Sequence, residues 1–457
     1  MKTVIIGCTH AGTAAVQELI AHDPLAEVEV FERRNDIAFL SCGIYLYLEG
    51  VVDSLKKVFY ATAADLEALG PNVHVHLQHD VVRIDTEDKL VEVQDLQTSQ
   101  MRSVRYDKII MTTGSYPVVP PIKGVNTPRV SLCKNYDDAM AIEANTMDAR
   151  RIAVVGGGYI GTEISEALSR RGYEVVLING RKQLLGHYVD ETIAGMIRSD
   201  LVANGVEVHD NEIVESFEDG GEEVYISTNK GELTADMAIV CVGFSPTTEL
   251  VRGLIDLTPE NAIKVNDYMQ TSNPDIFAAG DSAAVHYNPT HKNVYAPLAT
   301  NAVRMGKIAG ANVTEYGSVK YMGTQATSAL SLFGKTLAST GLTAAKAAAS
   351  FPNSAKVVLQ QNYRPDFMPT NEMLNMVLVY NQDDRKILGA QFYSRHDVSM
   401  CANLISTMIQ NNNTIDDLAY VDMLFNPNYD QPWNYLNLLG QAAVNQEKSR
   451  RHRLFAD

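Results

Sequence analysis

One cysteine of the chain, Cys42, stands in a context suited to thiol redox chemistry. It follows the apolar residues 38–40 and lies within the run Ser41-Cys42-Gly43, where a helix is expected to start. The positive end of a helix dipole lowers the pKa of a thiol, and the thiolate is the reactive form. We therefore expect a redox-active thiol here, the alternative being a small buried apolar side chain.

The other cysteines are widely scattered and contain no C-x-x-C pair. An odd set of this kind fits neither a disulfide framework nor a zinc site, so we expect no metal. We interpret the remaining four as small buried apolar residues: Cys8, Cys133, Cys241 and Cys401.

A glycine-rich turn, Gly156-Gly157-Gly158-Tyr159-Ile160-Gly161, follows an apolar strand at residues 151–155. A helical pattern at residues 162–171 and a strand at 174–178 come next. Such glycines permit a tight turn and let a pyrophosphate approach the helix N-terminus. The pattern predicts a dinucleotide site, against the alternative of a chance glycine turn.

The same βαβ pattern opens the chain, with a strand at residues 2–7, a helix at 11–20 and a strand at 27–32. Its turn, residues 7–12, keeps the first and last glycines but has Thr9 at the middle position. Glu32 ends the second strand, where an acid accepts hydrogen bonds from a ribose. The alternative for Glu32 is a solvated carboxylate beside two arginines. Two units of this type imply two dinucleotides.

The second unit has Asn179 where an NAD-selective site places an acid, and Gly180, Arg181 and Lys182 follow it. No carboxylate there repels a 2′-phosphate, and two cations could attract one. We predict the use of NADH with substantial use of NADPH, the alternative being a merely solvated charge pair.

The rest of the chain is predicted to contain a crossover between the two nucleotide-binding units and a third domain. A strand at residues 106–113 ends in Thr112-Thr113-Gly114, and Pro117, Pro120 and Pro121 form a stiff exit. From residue 323 onward the pattern is α+β, with an alanine-rich stretch (344–349), strands near 357–360 and 375–380, and helices near 400–410 and 415–418.

Charge and hydropathy exclude several classes of partner. The net charge of -17, without a basic run, argues against a nucleic-acid or anionic-membrane partner. The apolar stretches are too short to span a bilayer, and residues 4–10 do not form a secretory signal, so we expect a cytoplasmic protein.

Five motifs together closely resemble the pyridine nucleotide disulfide oxidoreductases over essentially the whole chain: residues 7–12, 41–43, 112–114, 156–161 and 278–281. Four further features are similar to the single-cysteine branch, which contains NADH oxidases, NADH peroxidases and coenzyme A-disulfide reductases: His10 and residues 39–43, 425–427 and 432–434. Residues 276–288 and 297–302 most resemble the water-forming NADH oxidases of lactic-acid bacteria.

The resemblance implies an α/β fold with two Rossmann-like dinucleotide-binding domains and a C-terminal α+β dimerisation domain. The FAD domain would be discontinuous (1–113 and 243–322), and the NAD(P) domain would be 114–242. Residues 323–457 would be the dimerisation domain, through which two chains form a homodimer. The implied FAD contacts are Gly7, Thr9, Ala11, Gly12, Glu32, Arg33, Ser41, Val81, Thr113, Gly114, Asp281, Pro297, Leu298 and Ala299. The implied NAD(P) contacts are Gly156, Gly158, Tyr159, Ile160, Gly161, Asn179, Gly180, Arg181, Lys182 and Gly243.

The same resemblance implies a reaction. Hydride would pass from the nicotinamide to FAD, oxygen would become peroxide, and the Cys42 thiolate would cleave the peroxide, forming a sulfenic acid that a second nicotinamide reduces. His10 would donate a proton, or else be a structural residue near a phosphate. Tyr159 would be an aromatic gate over the flavin, or else a packing residue.

Departures from dithiol relatives limit this chemistry. Tyr47 occupies the place of a second cysteine, and residues 425–429 lack the histidine of a His-Pro proton donor. An NADH peroxidase would share Cys42 and His10, so it remains the nearest alternative. A coenzyme A-disulfide reductase is less favoured because residues 41–45 lack a following proline, and intact glycine turns argue against a non-catalytic FAD sensor.

Overall fold

The first βαβ unit forms as its pattern predicts. The computed structural model describes residues 1–119 and 121–454, so Pro120 of the expected crossover lies outside them. A parallel pair of strands, Lys2–Ile6 and Glu27–Glu32, flanks the helix His10–His22. Apolar side chains of the first strand are fully buried, which is the pattern of a strand covered on both faces.

Five parallel strands form the first sheet. In spatial order they are Ile276–Ala278, Lys108–Met111, Lys2–Ile6, Glu27–Glu32 and Val73–Leu77. The edge strand Ile276–Ala278 comes from a part of the chain far from the others. This sheet is therefore built from two separate segments, and the residue boundaries of the FAD domain stay predictions.

Five parallel strands also form the second sheet, around the second glycine turn. Their order is Glu207–Asp210, Glu174–Asn179, Arg151–Val155, Met237–Val240 and Val130–Leu132. The helix Tyr159–Arg170 begins within the glycine-rich segment 156–161, three residues earlier than its pattern predicts. Two Rossmann-like units thus lie in one chain.

Two short segments join these units. Ser115–Pro117 pairs antiparallel with Phe244–Pro246, so the chain enters and leaves the second unit side by side. The Thr113 hydroxyl donates to the Thr247 carbonyl at 2.6 Å across the same junction.

An antiparallel sheet forms the third, C-terminal part. Its order is Ser328–Leu332, Lys335–Gly341, Ile387–Ser394, Met373–Asn381 and Ser354–Asn362. The helices Ser399–Gln410, Ile415–Tyr420 and Tyr435–Leu454 cover one face. The α+β character predicted for this region is confirmed.

The remaining elements are short connections and side sheets. Two three-stranded antiparallel sheets consist of His79–Asp85, Leu90–Asp95 and Met101–Arg105, and of Val214–Asp219, Val224–Thr228 and Gly231–Ala235. A hairpin joins Val285–Tyr287 to Lys292–Val294. The other helices are Ser41–Gly43, Ile44–Glu49, Leu55–Val58, Ala63–Glu67, Tyr136–Thr146, Glu191–Ala203, Glu249–Val251, Gly280–Ser282, Ala299–Thr314 and Ala344–Ser350. Across residues 1–119 and 121–454, none of the helices has the length and apolar character needed to cross a membrane.

Candidate active site

The first glycine turn brings backbone amides and a carboxylate together. Gly7 has φ +92°, and a Cβ on it would lie 2.5 Å from the Thr112 carbonyl oxygen, so this position requires glycine. The helix that follows has no side-chain cap from Thr9, which leaves its first N–H groups available to an anion. Ala11 and Gly12 form the first turn of this helix, where they pack against the sheet.

Glu32 lies at the tip of the second strand and is only 5% exposed. Its carboxylate accepts hydrogen bonds from the Cys8 amide at 2.7 Å and the Arg34 amide at 2.9 Å. Burial raises the pKa of this carboxyl group. The alternative of a solvated loop carboxylate is therefore wrong, and Glu32 is held beside the turn in the place of a ribose acceptor.

Two other predicted FAD contacts lie farther along this edge. The exposed Arg33 forms an ion pair with Asp80 at 3.8 Å, and Val81 is buried in the core of the first sheet. Their contacts with a cofactor stay predictions.

Cys42 lies in a single 3₁₀ turn, Ser41–Gly43, and its side chain is exposed. The surrounding protein atoms and the Glu163 carboxylate raise the pKa of its thiol. The expectation of a lowered pKa is therefore wrong. The helix after Cys42, Ile44–Glu49, has only six residues, too short to supply a strong dipole, whereas burial and the negative charge of Glu163 disfavour the thiolate.

His10 begins the first helix and faces Tyr60. Its Nδ1 lies 2.8 Å from the Tyr60 hydroxyl, and the two rings stack with 5.5 Å between centroids. Burial lowers the pKa of His10, so the imidazole is neutral at neutral pH. Burial raises the pKa of Tyr60 to about 12, a value to which Cys42 also contributes. Tyr60 is therefore in direct contact with His10 and within electrostatic range of Cys42.

Asp281 follows the edge strand of the first sheet and is tied to the second unit. Its Oδ2 accepts hydrogen bonds from the Ser115 hydroxyl at 2.8 Å and from Lys134 Nζ at 3.0 Å. Lys134 also lies over the Phe244 ring, 3.9 Å from its centroid. No described residue bonds to Oδ1 of Asp281, which leaves that oxygen able to accept a ligand hydroxyl.

The other predicted FAD positions lie at the junction and at a helix start. Gly114 has φ +68° and follows Thr113 at the exit from the first unit. Pro297 and Leu298 precede the helix Ala299–Thr314, which has no side-chain cap at Leu298. Thr113 and Gly114 lie at the same end of the sheet as the first turn, because they follow the carboxyl end of the parallel strand Lys108–Met111.

The second glycine turn is packed in the same way. Gly156 has φ +118°, and a Cβ on it would lie 2.4 Å from the Cys241 carbonyl oxygen. Gly158 caps the following helix with backbone only, and Ile160 and Gly161 lie in its first turn. Gly243, at φ +113°, accepts a hydrogen bond from the Val118 amide at 2.9 Å.

Tyr159 is anchored to the C-terminal sheet. Its hydroxyl lies 2.8 Å from the Ser328 hydroxyl and 3.1 Å from the Ser339 hydroxyl, and its ring packs on Tyr188 at 4.2 Å. The packing role is therefore present in the structure. Movement of Tyr159 as a gate stays a prediction, and it would break both hydrogen bonds.

Asn179 is buried and pairs in register with Asp210 on the neighbouring strand. Its amide donates to the Asp210 carboxylate at 2.8 Å, so the expectation that no acid lies here is wrong. The charge of Asp210 is offset by Arg198 at 2.9 Å. Sequence alone could not show this because register decides which residues of separate strands become neighbours.

The cations after Asn179 differ in their partners. Lys182 forms an ion pair with Glu191 at 3.6 Å, whereas Arg181, which follows Gly180, makes no ion pair with any described residue. Burial lowers the pKa values of His187 and Lys346, and the positive charge of Arg181 lowers them further. The three groups therefore lie near one another. Arg181 is therefore the cation most able to meet a phosphate.

The sequence model of the family "Pyridine nucleotide-disulphide oxidoreductase" matches residues 1–306 of this chain. The model of the family's dimerisation domain matches residues 328–434. The chain belongs to this family. An NADH oxidase of Enterococcus faecalis is 47% identical over 97% of this chain and 99% of its own length.

Solved structures of the family agree over the full length. A water-forming NADH oxidase from Lactobacillus brevis, bound to NADH, has a TM-score of 0.96 and 48% identity, covering 98% of this chain and 99% of that one. An engineered water-forming NADPH oxidase derived from it, bound to NADPH, gives the same TM-score and identity and covers 98% and 100%.

Three residues of this site were not predicted from the sequence: Tyr60, Lys134 and Glu163. Tyr60 and Lys134 reach the site through loops whose packing no local pattern encodes. Glu163 lies four residues after Tyr159 on the same helix, so helical spacing could have placed both on one face. Burial raises the pKa of Glu163 to about 8.

Proposed function

We propose that this chain is an FAD-dependent NAD(P)H oxidase that reduces oxygen to water and regenerates NAD(P)+. The observation that carries the proposal is the exposed thiol of Cys42, which lies beside the first nucleotide turn together with His10 and Tyr60. The full-length similarity to NADH oxidases, two of them water-forming or derived from a water-forming enzyme, supports it.

The first turn fits FAD in the chemistry of its donors and acceptors. The uncapped helix after Thr9 offers amides to a diphosphate, and Glu32 offers a buried acceptor to a ribose. The close approach of the turn to Thr112 leaves no room for a Cβ at Gly7. Asp281, with one oxygen free of described partners, would accept hydroxyls of the ribityl chain.

The protein residues would act on peroxide. When bound, FAD accepts hydride from the nicotinamide and passes electrons to oxygen. The Cys42 thiolate attacks one oxygen of hydrogen peroxide, the O–O bond breaks, and sulfenic acid and hydroxide form. His10, whose Nδ1 is engaged by the Tyr60 hydroxyl, would donate from Nε2 the proton that converts this hydroxide to water.

The cycle closes when Cys42 is reduced. Two electrons and one proton convert the sulfenic acid into thiolate and a second water molecule. Two molecules of NAD(P)H are thus consumed for each oxygen, and no peroxide is released. Tyr47 hydrogen-bonds to Glu143 and provides no thiol, so no internal disulfide competes with the sulfenic acid at that position.

Coenzyme choice would be relaxed. Arg181, without a described ion-pair partner, would meet the 2′-phosphate of NADPH. Asp210 beside Asn179 is paired with Arg198, which weakens its repulsion of that phosphate. NADH would bind through the same turn without the additional ion pair.

A homodimer is the assembly we propose. The match to the family's dimerisation domain supports it, as does an exposed set of large apolar side chains in the C-terminal part: Tyr420, Leu424, Phe425, Tyr429 and Trp433. Exposed large apolar side chains that form a contiguous patch mark interaction surfaces. Light scattering of the purified protein would give the mass of the assembly and so test the homodimer. The use of nicotinamide coenzymes as substrates favours a cytoplasmic location.

An oxygen electrode tests the proposed reaction. We expect purified protein to consume two NADH per oxygen, with no oxygen returned when catalase is added. One NADH per oxygen, with half of the oxygen returned by catalase, would contradict water formation. Negligible oxygen uptake with NADH-dependent loss of added peroxide would instead establish a peroxidase.

A further inference from the structure

Two cysteines that the proposed reaction does not use lie side by side. Cys133 directly follows the strand Val130–Leu132, and Cys241 directly follows Met237–Val240. These strands are parallel neighbours, and Leu132 is paired with Val240 in their register. The two cysteines are therefore the next matching positions along adjacent strands, although 108 positions separate them in sequence.

The spacing of adjacent strands suits a disulfide. Paired residues of neighbouring strands lie about 5 Å apart, within the range of roughly 4.4–6.8 Å between the Cα atoms of disulfide-linked cysteines. Matching positions also direct their side chains to the same face of the sheet. The neighbouring Cys241 thiol and burial both raise the pKa of the Cys133 thiol, as expected for two thiols at adjacent positions.

The two thiols differ in exposure, and this difference indicates which of them reacts first with an oxidant. Cys241 is half-buried, whereas Cys133 is 5% exposed. A redox-sensitive pair commonly has one accessible sulfur and one adjacent sulfur that resolves its sulfenic acid. Cys241 is thus the sulfur that an oxidant meets first, and Cys133 is the resolving partner.

We propose that Cys133 and Cys241 form a reversible disulfide in response to hydrogen peroxide, as a second redox site distinct from Cys42. The Cys241 sulfur attacks peroxide, the O–O bond breaks, and sulfenic acid and water form. The Cys133 sulfur then attacks the Cys241 sulfur, the S–O bond breaks, and a second water molecule leaves. Both thiols are oxidised, and one peroxide is reduced to two water molecules.

This pair lies directly beneath the second glycine turn. The Cys241 amide donates to the Val155 carbonyl at 2.7 Å, and the Cys241 carbonyl faces Gly156 so closely that a Cβ there would be 2.4 Å away. Movement of Cys241 toward Cys133 is therefore transmitted to the backbone that holds the nicotinamide coenzyme. Oxidation should weaken coenzyme binding.

Peptide mapping tests the disulfide. A Cys42→Ser holoenzyme retains four of the five cysteines, and peroxide should reduce its free thiols from four to two. Tryptic digestion without reductant should link residues 130–134 to residues 231–252, which contain Cys133 and Cys241. Dithiothreitol should restore both peptides. Four remaining thiols, or a loss of thiols without this linked pair, would overturn the proposal.

Coenzyme binding provides a second measurement in the same protein. The Kd for NAD+ should rise about fivefold on oxidation, the low end of measured couplings between sites, and should return on reduction. The added substitution Cys133→Ala should abolish this redox dependence. An unchanged Kd in the cross-linked protein would refute the link to the nucleotide turn. Because peroxide is added and NADH is absent, these results do not depend on the proposed oxidase activity.

Discussion

The Tyr60 hydroxyl lies 2.8 Å from Nδ1 of His10, and the two rings stack almost in parallel. Because burial raises the pKa of Tyr60 to about 12, this hydroxyl keeps its proton and can donate it to Nδ1. The imidazole proton then resides on Nε2, the nitrogen available to a reacting oxygen. Tyr60 therefore positions His10 for proton donation.

Substitution Tyr60→Phe tests this relationship. Loss of one hydrogen bond should lower kcat by about threefold to tenfold and increase the peroxide released per oxygen, because His10 is less well oriented. Assays of NADH oxidation and peroxide release measure both effects. The matched control is Tyr225→Phe, at an exposed tyrosine of a side sheet. A Tyr60→Phe enzyme with unchanged kcat and peroxide release would contradict the positioning role.

The pH dependence of Cys42 should depend on Glu163. The surrounding protein atoms and this carboxylate raise the pKa of the thiol, and the pKa of Glu163 itself is about 8. Below about pH 8 Glu163 is neutral, whereas above it the negative charge opposes thiolate formation. Glu163→Gln removes that charge, so the midpoint of Cys42 ionisation should move to lower pH.

Alkylation of Cys42 by iodoacetamide measures this shift, since only the thiolate reacts. The rate is followed on the tryptic peptide of residues 35–56 at a series of pH values. Glu232→Gln, at an exposed glutamate of a side sheet, is the control. If the Glu163→Gln profile coincides with that of the unmodified protein, the assigned electrostatic coupling is wrong.

Arg181 should determine how well NADPH is used. Arg181→Ala should lower kcat/KM for NADPH by about tenfold or more, because a charge-assisted hydrogen bond is lost. The kcat/KM for NADH should stay nearly unchanged. Lys182→Ala should have a smaller effect because Lys182 already pairs with Glu191. Steady-state kinetics with both coenzymes provide the comparison. Equal losses for NADH and NADPH would argue against contact with the 2′-phosphate.

Asp190 should stabilise the contact between the second unit and the C-terminal sheet. It is 6% exposed, and its carboxylate accepts hydrogen bonds from the Ala344 amide at 3.1 Å and from Gln391 at 2.8 Å. Asp190→Ala leaves buried donors unpaired, so the free energy of unfolding should fall by about 1–3 kcal/mol. Denaturant unfolding, with the exposed Asp148→Ala as control, measures this. If Asp190→Ala lowers the free energy of unfolding no more than Asp148→Ala does, Asp190 does not stabilise this contact.

Sequence predicted the regular parts of the fold well, for identifiable physical reasons. The two βαβ units have buried apolar strands and glycine turns whose geometry depends on local residue types, as at Gly7 and Gly156. The family resemblance correctly indicated the three-part architecture. Glu32 and Asn179 were found because they follow directly from strand ends.

Relationships between distant segments could not be predicted in this way. Asp210 reaches Asn179, and Cys133 reaches Cys241, only through the register and order of parallel strands. Tyr60 and Lys134 depend on loop packing. The raised pKa of Cys42 depends on burial and on the charge of Glu163 from another unit, whose helix contacts the helix after Cys42 through the Arg170–Glu49 ion pair at 3.1 Å.

The oxygen stoichiometry of a Cys42→Ser variant tests the central claim most directly. Serine cannot form a sulfenic acid, so the variant should consume one NADH per oxygen, and catalase should return half of that oxygen. Cys401→Ser, at a buried cysteine of the C-terminal part, should retain two NADH per oxygen. A Cys42→Ser variant that still consumes two NADH per oxygen and releases no peroxide would contradict the role of Cys42 in forming water.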